Sequence, residues 1–192
     1  MIKTILTCLL TLTLGAYAAE PAAPKESATE PVCAVDGKPL KAGLTTAYEE
    51  RTYSFCSEKC KTAFVTKVNA SIYHQIGGKA AMDAAIEIFY KKVLADARIK
   101  HFFEDINMNA QRRKQKAFLS AAFGSPVKWE GRDMRKAHSN LPGLNDSHFD
   151  AVAENLQATL EELKVKKELV DQIMALAGSL RNDVLNRKPA AK

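Results

Sequence analysis

The 192-residue chain carries 28 basic and 22 acidic residues, which gives a formal net charge of +6 at pH 7. This length fits one domain or two small ones, and the positive charge is scattered, without the basic stripe interleaved with aromatic residues that predicts nucleic-acid binding. Beyond residue 18 no segment is apolar for long enough to form a transmembrane helix. We therefore expect no nucleic-acid partner and no stable membrane insertion of the mature chain.

Residues 1–18 have the pattern of an export signal. Lys3 precedes an apolar run from Ile5 to Leu14, and a small-x-small pattern of the kind that signal peptidase cuts ends at Ala18. Because the run is too short to span a bilayer, we predict a signal peptide that is removed; a retained membrane anchor is the alternative. The mature protein is then expected in an oxidising compartment, the bacterial periplasm.

Two short regions follow the signal. Residues 19–31 are rich in Ala, Pro and charge without any apolar period, which predicts a disordered linker. Within residues 32–68, Pro39 to Thr46 is predicted as loop, Thr52 to Phe55 alternates like a short strand, and a helix is predicted from near Ser57. About forty residues build only a small core, so we expect a metal or a disulfide to stabilise this unit.

Three cysteines remain once Cys8 has left with the signal: Cys33, Cys56 and Cys60. An odd number cannot be paired completely within one chain, so either a disulfide accompanies one free thiol or the three bind a metal together. Cys56 and Cys60 are four residues apart at a helix start, which places both sulfur atoms on one face. A helix N-terminus also lowers the pKa of thiols.

The segments VCAVDGKPL and TYSFCSEKCKTAF resemble the small metal-binding modules of the YHS or TRASH type, over Val32 to Val68. The resemblance implies a small α+β module with a metal site. Thiolates of Cys33, Cys56 and Cys60 suit Zn(II) or Cu(I), with a fourth ligand that the sequence does not identify. A structural disulfide plus one free cysteine stays the alternative.

From Ser71 onward the pattern is that of amphipathic helices, so the predicted fold class is mainly α. The apolar stripes cover residues 82–94, about 110–123, 149–163 and 169–184. Asn145 offers an N-cap side chain for the third of these helices. Residues 125–144 are predicted to be poorly helical, and no strand signal occurs in this part.

Five segments of this part resemble the group I truncated haemoglobins: SIYHQIGG, FYKKVLADARIKHFFEDINM, QKAFLSAAFG, GRDMRKAH and HFDAVAENLQATLEEL. They occur in the family's order and at close to the family's spacing from Ser71 to Asn186. Residues 71–187 are therefore identified as a truncated globin domain. The resemblance implies a fold of two helices packed over two others around a haem.

The resemblance places His138, in GRDMRKAH, at the family's proximal iron ligand. A neutral imidazole nitrogen is a suitable ligand for haem iron, and one such bond leaves the opposite face for a gas. Any one of the four histidines taken alone would be interpreted as a surface or loop residue, so it is the resemblance that selects His138. Phe102 and Phe103 match the aromatic pair that packs against the macrocycle.

On the other side of the haem, Tyr90 matches the family's distal tyrosine, and Gln111 and Gln115 match its polar distal positions. Lys114 has two interpretations. Its neutral amine could bind iron reversibly, more so at high pH, or it could turn outward to a haem propionate or solvent. The neighbouring cations are predicted to form a solvated face, with one or two of them near the haem propionates as the alternative: Arg112, Arg113 and Lys116.

Some relatives attach haem covalently through a histidine in the last helix. This chain has GSLRNDVLN there, without a histidine, and no C-x-x-C-H sequence. The sequence therefore predicts haem b, bound without a covalent link.

The predicted function is reversible binding of dioxygen, or of nitric oxide or carbon monoxide, at haem iron. A binding protein is favoured over an enzyme. One alternative is a nitric oxide dioxygenase that depends on an external electron-donor protein, because no flavin or nicotinamide motif is present. The other is a haem and metal redox sensor, in which the state of the cysteine module alters the haem.

Overall fold

The computed structural model describes residues 32–188, so the predicted signal (1–18) and linker (19–31) lie outside the described residues. Two strands come first, β1 (Thr45–Tyr48) and β2 (Arg51–Ser54). The helices follow in the order α1 (Glu58–Ala70), α2 (Ile72–Gln75), α3 (Gly78–Ala95), a 3-10 helix (Lys100–Phe103), α4 (Met108–Ala122), α5 (Met134–His138), α6 (Asp146–Glu162), α7 (Lys167–Ser179) and α8 (Arg181–Val184). Among the described residues, none of these helices has the length and apolarity needed to cross a membrane.

The cysteine-containing segment is an antiparallel hairpin packed against α1. Thr45 pairs with Ser54 and Tyr48 with Arg51, and a separate small core lies between hairpin and helix, formed by Cys33, Phe55, Phe64 and Val68. The prediction of loop from Pro39 to Thr46 is wrong at its end, because β1 begins at Thr45. Four residues are too few to show a strand period, so the pairing with β2 determines this strand.

Helix α1 connects this segment directly to the helical part. The Ser57 side chain accepts the N–H of Cys60 at 3.3 Å and caps the start of the helix. Ser71 ends α1 and also caps α2 through the N–H of His74. The described residues accordingly belong to one compact unit that begins at Val32.

In the helical part, α3 packs on α4 and on α6, and α6 packs on α7. The buried residues of α3 recur at helical spacing and form the centre of the core: Met82, Ile86, Phe89, Tyr90 and Val93. Met82 packs with Phe123 and Ile173 in a cluster that Tyr48 of the hairpin also contacts. The other four buried residues of α3 pack with Ile99 and Ala151. The apolar stripe predicted for this helix is therefore its buried face, except at its last residue, Leu94, which is exposed.

Two predicted helices differ from the structure in their bounds, and a short helix lies within the stretch predicted as poorly helical; a local hydrogen bond explains each case. Helix α4 begins at Met108 because the Asn107 side chain caps the N–H of Ala110. The stretch predicted as poorly helical contains α5, where Asp133 caps the N–H of Lys136 at 2.8 Å. The predicted last helix is two helices, since the N–H of Leu180 bonds to the Ala177 carbonyl.

The hairpin turn holds the first turn of α3. Glu49, at φ +52° in the turn, accepts the N–H of Lys79 at 2.8 Å and the hydroxyl of Tyr73 at 2.9 Å. Gly77, the N-cap residue of α3, supplies no side-chain hydrogen bond. Glu49 therefore satisfies a helix N-terminus that the helix's own sequence leaves uncapped.

We expect Gly78→Ala to lower the free energy of unfolding by about 1–3 kcal/mol, because Gly78 has a left-handed backbone and faces the Glu49 carboxylate. Its φ is +62°, and an added Cβ would lie 2.8 Å from Glu49 Oε1. Gly178→Ala is the matched control, since its Cβ would meet open space in a helix. The free energy of unfolding of Gly178→Ala should rise by about 0.5–1 kcal/mol. Urea unfolding of the full chain measures the change in stability of each variant. Equal unfolding midpoints for Gly78→Ala and the wild type would contradict the Glu49 contact.

Candidate functional site

A cavity of about 700 Å³ opens among α3, the 3-10 helix, α4, α5, α6 and α7. Its volume lies within the range of about 300–1,000 Å³ found for ligand and cofactor sites, and like them it combines an apolar lining with a few polar groups. All seven residues predicted for the haem site line this one cavity: Tyr90, Phe102, Phe103, Gln111, Lys114, Gln115 and His138.

His138 ends the short helix α5. Its Nδ1 lies 2.8 Å from the carbonyl oxygen of Met134, one turn earlier. A carbonyl can only accept a hydrogen bond, so Nδ1 carries the proton and donates it. Nε2 of the neutral ring is then an unprotonated nitrogen, which is the form that binds a metal.

A second histidine, His148, which the family resemblance did not select, also lines the cavity. Its Nδ1 accepts the backbone N–H of Asn145 at 3.3 Å, as part of the cap of α6. The neutral ring must therefore carry its proton on Nε2, which leaves no lone pair for a metal. Of the two cavity histidines, the hydrogen bonds favour His138 as a metal ligand.

Tyr90 is 1% exposed and meets the ring of Phe103 edge to face, with the centroids 6.0 Å apart. Burial raises the pKa of Tyr90, and the side chain of Gln111 partly offsets that rise. The phenol is therefore protonated at neutral pH and can donate a hydrogen bond into the cavity. Gln111 and Gln115, one turn apart on α4, supply further amide donors to the same space.

Lys114 and Arg132 both line the cavity and are exposed, so this side of the cavity is open to solvent. The aromatic pair is half-buried, and the Phe102 ring meets the His148 ring edge-on at 5.0 Å. This arrangement combines an apolar interior, an imidazole with an unprotonated Nε2 and hydrogen-bond donors with a cationic margin.

Several further lining residues were not predicted as part of a site. Phe149 and Val152 belong to the predicted stripe of α6, but a stripe does not distinguish core from cavity. Trp129 lies in a stretch without periodicity; its indole N–H donates to the Arg132 carbonyl at 3.1 Å, and its ring meets Phe118 edge-on. The only feature of the sequence that could have drawn attention to Trp129 is that it is the single tryptophan of the chain.

The three cysteines come together with an acidic residue, Asp36, that was not among the predicted ligands. One ligand atom each from Cys33, Asp36, Cys56 and Cys60 lies within 4.8 Å of the others. The Cys56 and Cys60 sulfur atoms are 3.6 Å apart and lie 3.4 and 3.7 Å from the oxygens of Asp36. Asp36 follows Cys33 by three residues in a turn. This short spacing is the feature of the sequence that could have identified Asp36 as a fourth ligand.

The electrostatics of this cluster differ from the expectation based on a helix N-terminus. Burial and the neighbouring thiols of Cys60 and Cys33 raise the pKa of Cys56 to about 11. The pKa of Cys33 is lowered instead: burial acts to raise it, but backbone N–H groups of Asp36, Val35 and Cys56 outweigh that effect. A hydrogen bond from the Cys33 thiol holds the pKa of Asp36 well below its usual value.

Comparison with known proteins identifies relatives of the helical part. Residues 71–186 match the family described as Bacterial-like globin. A group 1 truncated haemoglobin of Synechocystis sp. is 50% identical over 123 residues, which cover 62% of this chain and 99% of the relative. That of Tetrahymena thermophila is 42% identical over 117 residues, 61% of this chain and 96% of the relative.

Two solved structures are also similar. The 2/2 haemoglobin of Synechococcus sp., in the cyanomet state and with covalently attached haem, has a TM-score of 0.60 at 50% identity. The match covers 62% of this chain and 100% of that one. The truncated haemoglobin of Tetrahymena pyriformis in its Fe(III) form has a TM-score of 0.57 at 42% identity, over 59% of this chain and 97% of that one.

Proposed function

This chain belongs to the bacterial-like globin family, and on that basis we propose that it reversibly binds a diatomic gas, chiefly dioxygen, at haem iron held by His138. The prediction of a mainly α, two-over-two truncated globin fold behind a small cysteine-containing segment is confirmed, and the chain is a haem-binding globin. The observation that supports His138 most directly is the hydrogen bond from its Nδ1 to the Met134 carbonyl, which leaves Nε2 free.

The cavity fits a haem in volume and in the chemistry of its lining. Ferrous haem iron with one axial imidazole offers a further position to dioxygen, nitric oxide or carbon monoxide. In this chain His138 would hold the iron, and Phe102 and Phe103 would pack against the macrocycle. Tyr90 and Gln111 would donate hydrogen bonds to the gas, and the burial of Tyr90 excludes much of the water around its hydroxyl.

Variants of the Tetrahymena pyriformis protein support the assignment of these polar residues. Its solved structures include single substitutions of one tyrosine and of two glutamines. The three substituted positions have the same sequence spacing as Tyr90, Gln111 and Gln115 in this chain. We infer that the equivalent side chains face the gas here.

We further propose that the haem is b-type and non-covalent, in contrast to the covalently attached haem of the Synechococcus structure. The two histidines that line the cavity both use Nδ1 in backbone hydrogen bonds, and the last helices of the described chain contain no histidine. Extraction of the haem into acidified butanone tests this, because covalent haem stays with the protein.

Absorption spectra of the purified protein test the proposed function. Ferric, ferrous and ferrous carbon monoxide spectra typical of an imidazole-ligated b-type haem are expected. Spectra recorded from pH 6 to pH 10 also test Lys114: a low-spin species that grows with pH and disappears in Lys114→Ala indicates ligation by its neutral amine. A protein that takes up no haem contradicts the proposal as a whole.

A second proposed site is a zinc site formed by Cys33, Asp36, Cys56 and Cys60. Zinc–sulfur bonds of about 2.3 Å in a tetrahedron separate the ligand atoms by roughly 3.8 Å, close to the 3.4 to 3.7 Å separations among Asp36, Cys56 and Cys60. The resemblance to YHS and TRASH modules suggested Zn(II) or Cu(I). A carboxylate as fourth ligand favours Zn(II), because Cu(I) prefers sulfur ligands.

We expect native mass spectrometry to show one zinc ion per chain, lost on treatment with a chelator. Asp36→Asn should weaken zinc binding about tenfold or more, because an amide oxygen is a weaker ligand than a carboxylate. Asp105→Asn, the same change at an exposed position outside the cluster, is the control. A native chain that lacks two hydrogen atoms and retains one reactive thiol would instead establish the disulfide alternative.

Control of gas binding by this metal site is a candidate second function, favoured by the contact of Glu49 with α3. Glu49 lies in the turn of the hairpin that precedes Cys56, and its carboxylate accepts the N–H of Lys79 in α3, the helix that carries Tyr90. Binding at two coupled sites is reciprocal, so zinc should change the affinity for dioxygen, and the gas should change that for zinc. Equal dioxygen affinities with and without zinc would contradict this coupling.

Export to the periplasm also belongs to the proposal and rests on the pattern of residues 1–18. N-terminal sequencing of protein from the periplasmic fraction should begin at Ala19, and an intact Met1 would contradict cleavage.

A further inference from the structure

Arg112 does not lie on a solvated face as expected from its neighbours in sequence. Its side chain is 28% exposed, and its guanidinium carbon lies 5.8 Å from the centroid of the Tyr90 ring, within the range of a cation–π contact. The Nε atom of Arg112 is buried without a hydrogen-bond partner, and the nearest acid, Glu87, lies 3.5 Å away.

Arg112 contacts Tyr90 from outside the cavity. Tyr90 lines the 700 Å³ cavity, but Arg112 lines a separate cleft between α3 and α4. Within that cleft Lys116 pairs with Asp83 at 2.6 Å, so Glu87 is the carboxylate nearest to Arg112. An exposed carboxylate at 3.5 Å neutralises a half-buried guanidinium only in part. The Arg112 guanidinium therefore presents its positive charge to the Tyr90 ring as well as to Glu87.

We propose that Arg112 is a positioning residue that strengthens Tyr90 as a hydrogen-bond donor and thereby raises the preference of the site for dioxygen over carbon monoxide. This inference rests on the proposed function. A cation beside an aromatic ring draws electron density towards itself, which makes the phenolic O–H more polar. Dioxygen gains partial negative charge on binding and carbon monoxide gains much less, so a stronger donor favours dioxygen.

The charge of Arg112 changes the pKa of Tyr90 in the direction that their contact predicts. Burial is the largest influence on Tyr90 and raises its pKa, whereas the charge of Arg112, like the Gln111 side chain, lowers it. The ring is also held between Phe89, at 5.2 Å, and Phe103, at 6.0 Å, so it has little freedom to turn away from Arg112.

Arg112→Met tests the proposal, because methionine keeps apolar contact with the ring and removes the charge. The dioxygen dissociation rate should rise about fivefold, equivalent to about 1 kcal/mol, and the carbon monoxide dissociation rate should change by less than about twofold. Arg113→Met is the matched control: it removes the same charge from the next residue, which is exposed, and should leave both rates unchanged.

A second measurement does not depend on gas kinetics. In the carbon monoxide form labelled with 3-fluorotyrosine, the fluorine resonance of Tyr90, assigned by its loss in Tyr90→Phe, should shift in Arg112→Met and not in Arg113→Met. Arg112→Gln, a polar neutral variant, should reproduce the fivefold increase if Arg112→Met does not fold.

Unchanged dioxygen dissociation in the neutral Arg112 variants, with a normal haem spectrum, would overturn this role for Arg112. An increase of the same size for carbon monoxide would overturn it as well, since it would indicate a general disturbance of the cavity. Failure of the wild-type protein to bind haem or either gas would instead contradict the proposed function.

Discussion

His138→Gly is expected to lower the affinity for haem about 100-fold or more and to abolish the spectrum of an imidazole-ligated haem. Even the loss of a residue that only orients a metal ligand costs about 10- to 100-fold, and His138 is the proposed ligand itself. The variant removes the one cavity imidazole whose Nδ1 donates to a backbone carbonyl, at 2.8 Å from Met134. Haem titration of the haem-free protein, followed by absorption, measures the change.

Added imidazole should restore the spectrum of His138→Gly, because the free ligand can occupy the space that the side chain leaves. His74→Gly is the matched control: His74 is exposed and is not among the residues that line the cavity. Unaltered haem affinity and spectrum in His138→Gly would show that another residue holds the iron. His148→Gly would then be the next variant to measure, although the backbone N–H of Asn145 occupies the Nδ1 of His148.

Tyr90→Phe is expected to increase the dioxygen dissociation rate about 10- to 100-fold. The phenol is the most deeply buried donor among the predicted site residues, and a hydrogen bond to a charged acceptor is worth about 1.5–3 kcal/mol. Phenylalanine keeps the ring and its edge-to-face contact with Phe103. Haem affinity should therefore stay close to that of the wild type.

Rapid-mixing measurements of the dissociation rates of dioxygen and carbon monoxide check this prediction. Bound carbon monoxide gains much less from a hydrogen-bond donor, so its dissociation rate should change much less. Tyr48→Phe serves as control, since Tyr48 lies in the hairpin and its hydroxyl is 3.5 Å from His74. A dioxygen rate that stays at the wild-type value in Tyr90→Phe would assign the gas contact to Gln111 or Gln115 instead.

Helices that bury a long apolar stripe could be predicted from sequence. Met82, Ile86, Phe89 and Val93 of α3 follow a helical period, and the same residues are buried in the structure. The short elements could not be predicted in this way. Strand β1 has four residues and depends on its pairing with β2, and α5 has five and depends on the Asp133 cap. Neither is long enough to contain a recognisable period.

Seven residues were predicted for the haem site by resemblance, and the structure brings all of them to one cavity. The resemblance alone did not explain why His138 suits iron better than His148, which lines the same cavity. That difference depends on the hydrogen-bond partner of each Nδ1, a carbonyl in one case and an N–H in the other. The proton of a neutral imidazole follows its partner, so the contact determines which nitrogen is free.

The helical stripes depend on local order along the chain and could be predicted from sequence, whereas the family of the helical part and the residues proposed around the haem were predicted from the resemblance of longer segments. Which distant groups meet depends on the tertiary structure. Asp36 joins Cys56 across 20 positions, Glu49 caps α3 at Lys79 across 30, and Arg112 of α4 lies over Tyr90 of α3. A side chain's partner depends on the path of the chain between the two residues, and no local spacing encodes that path.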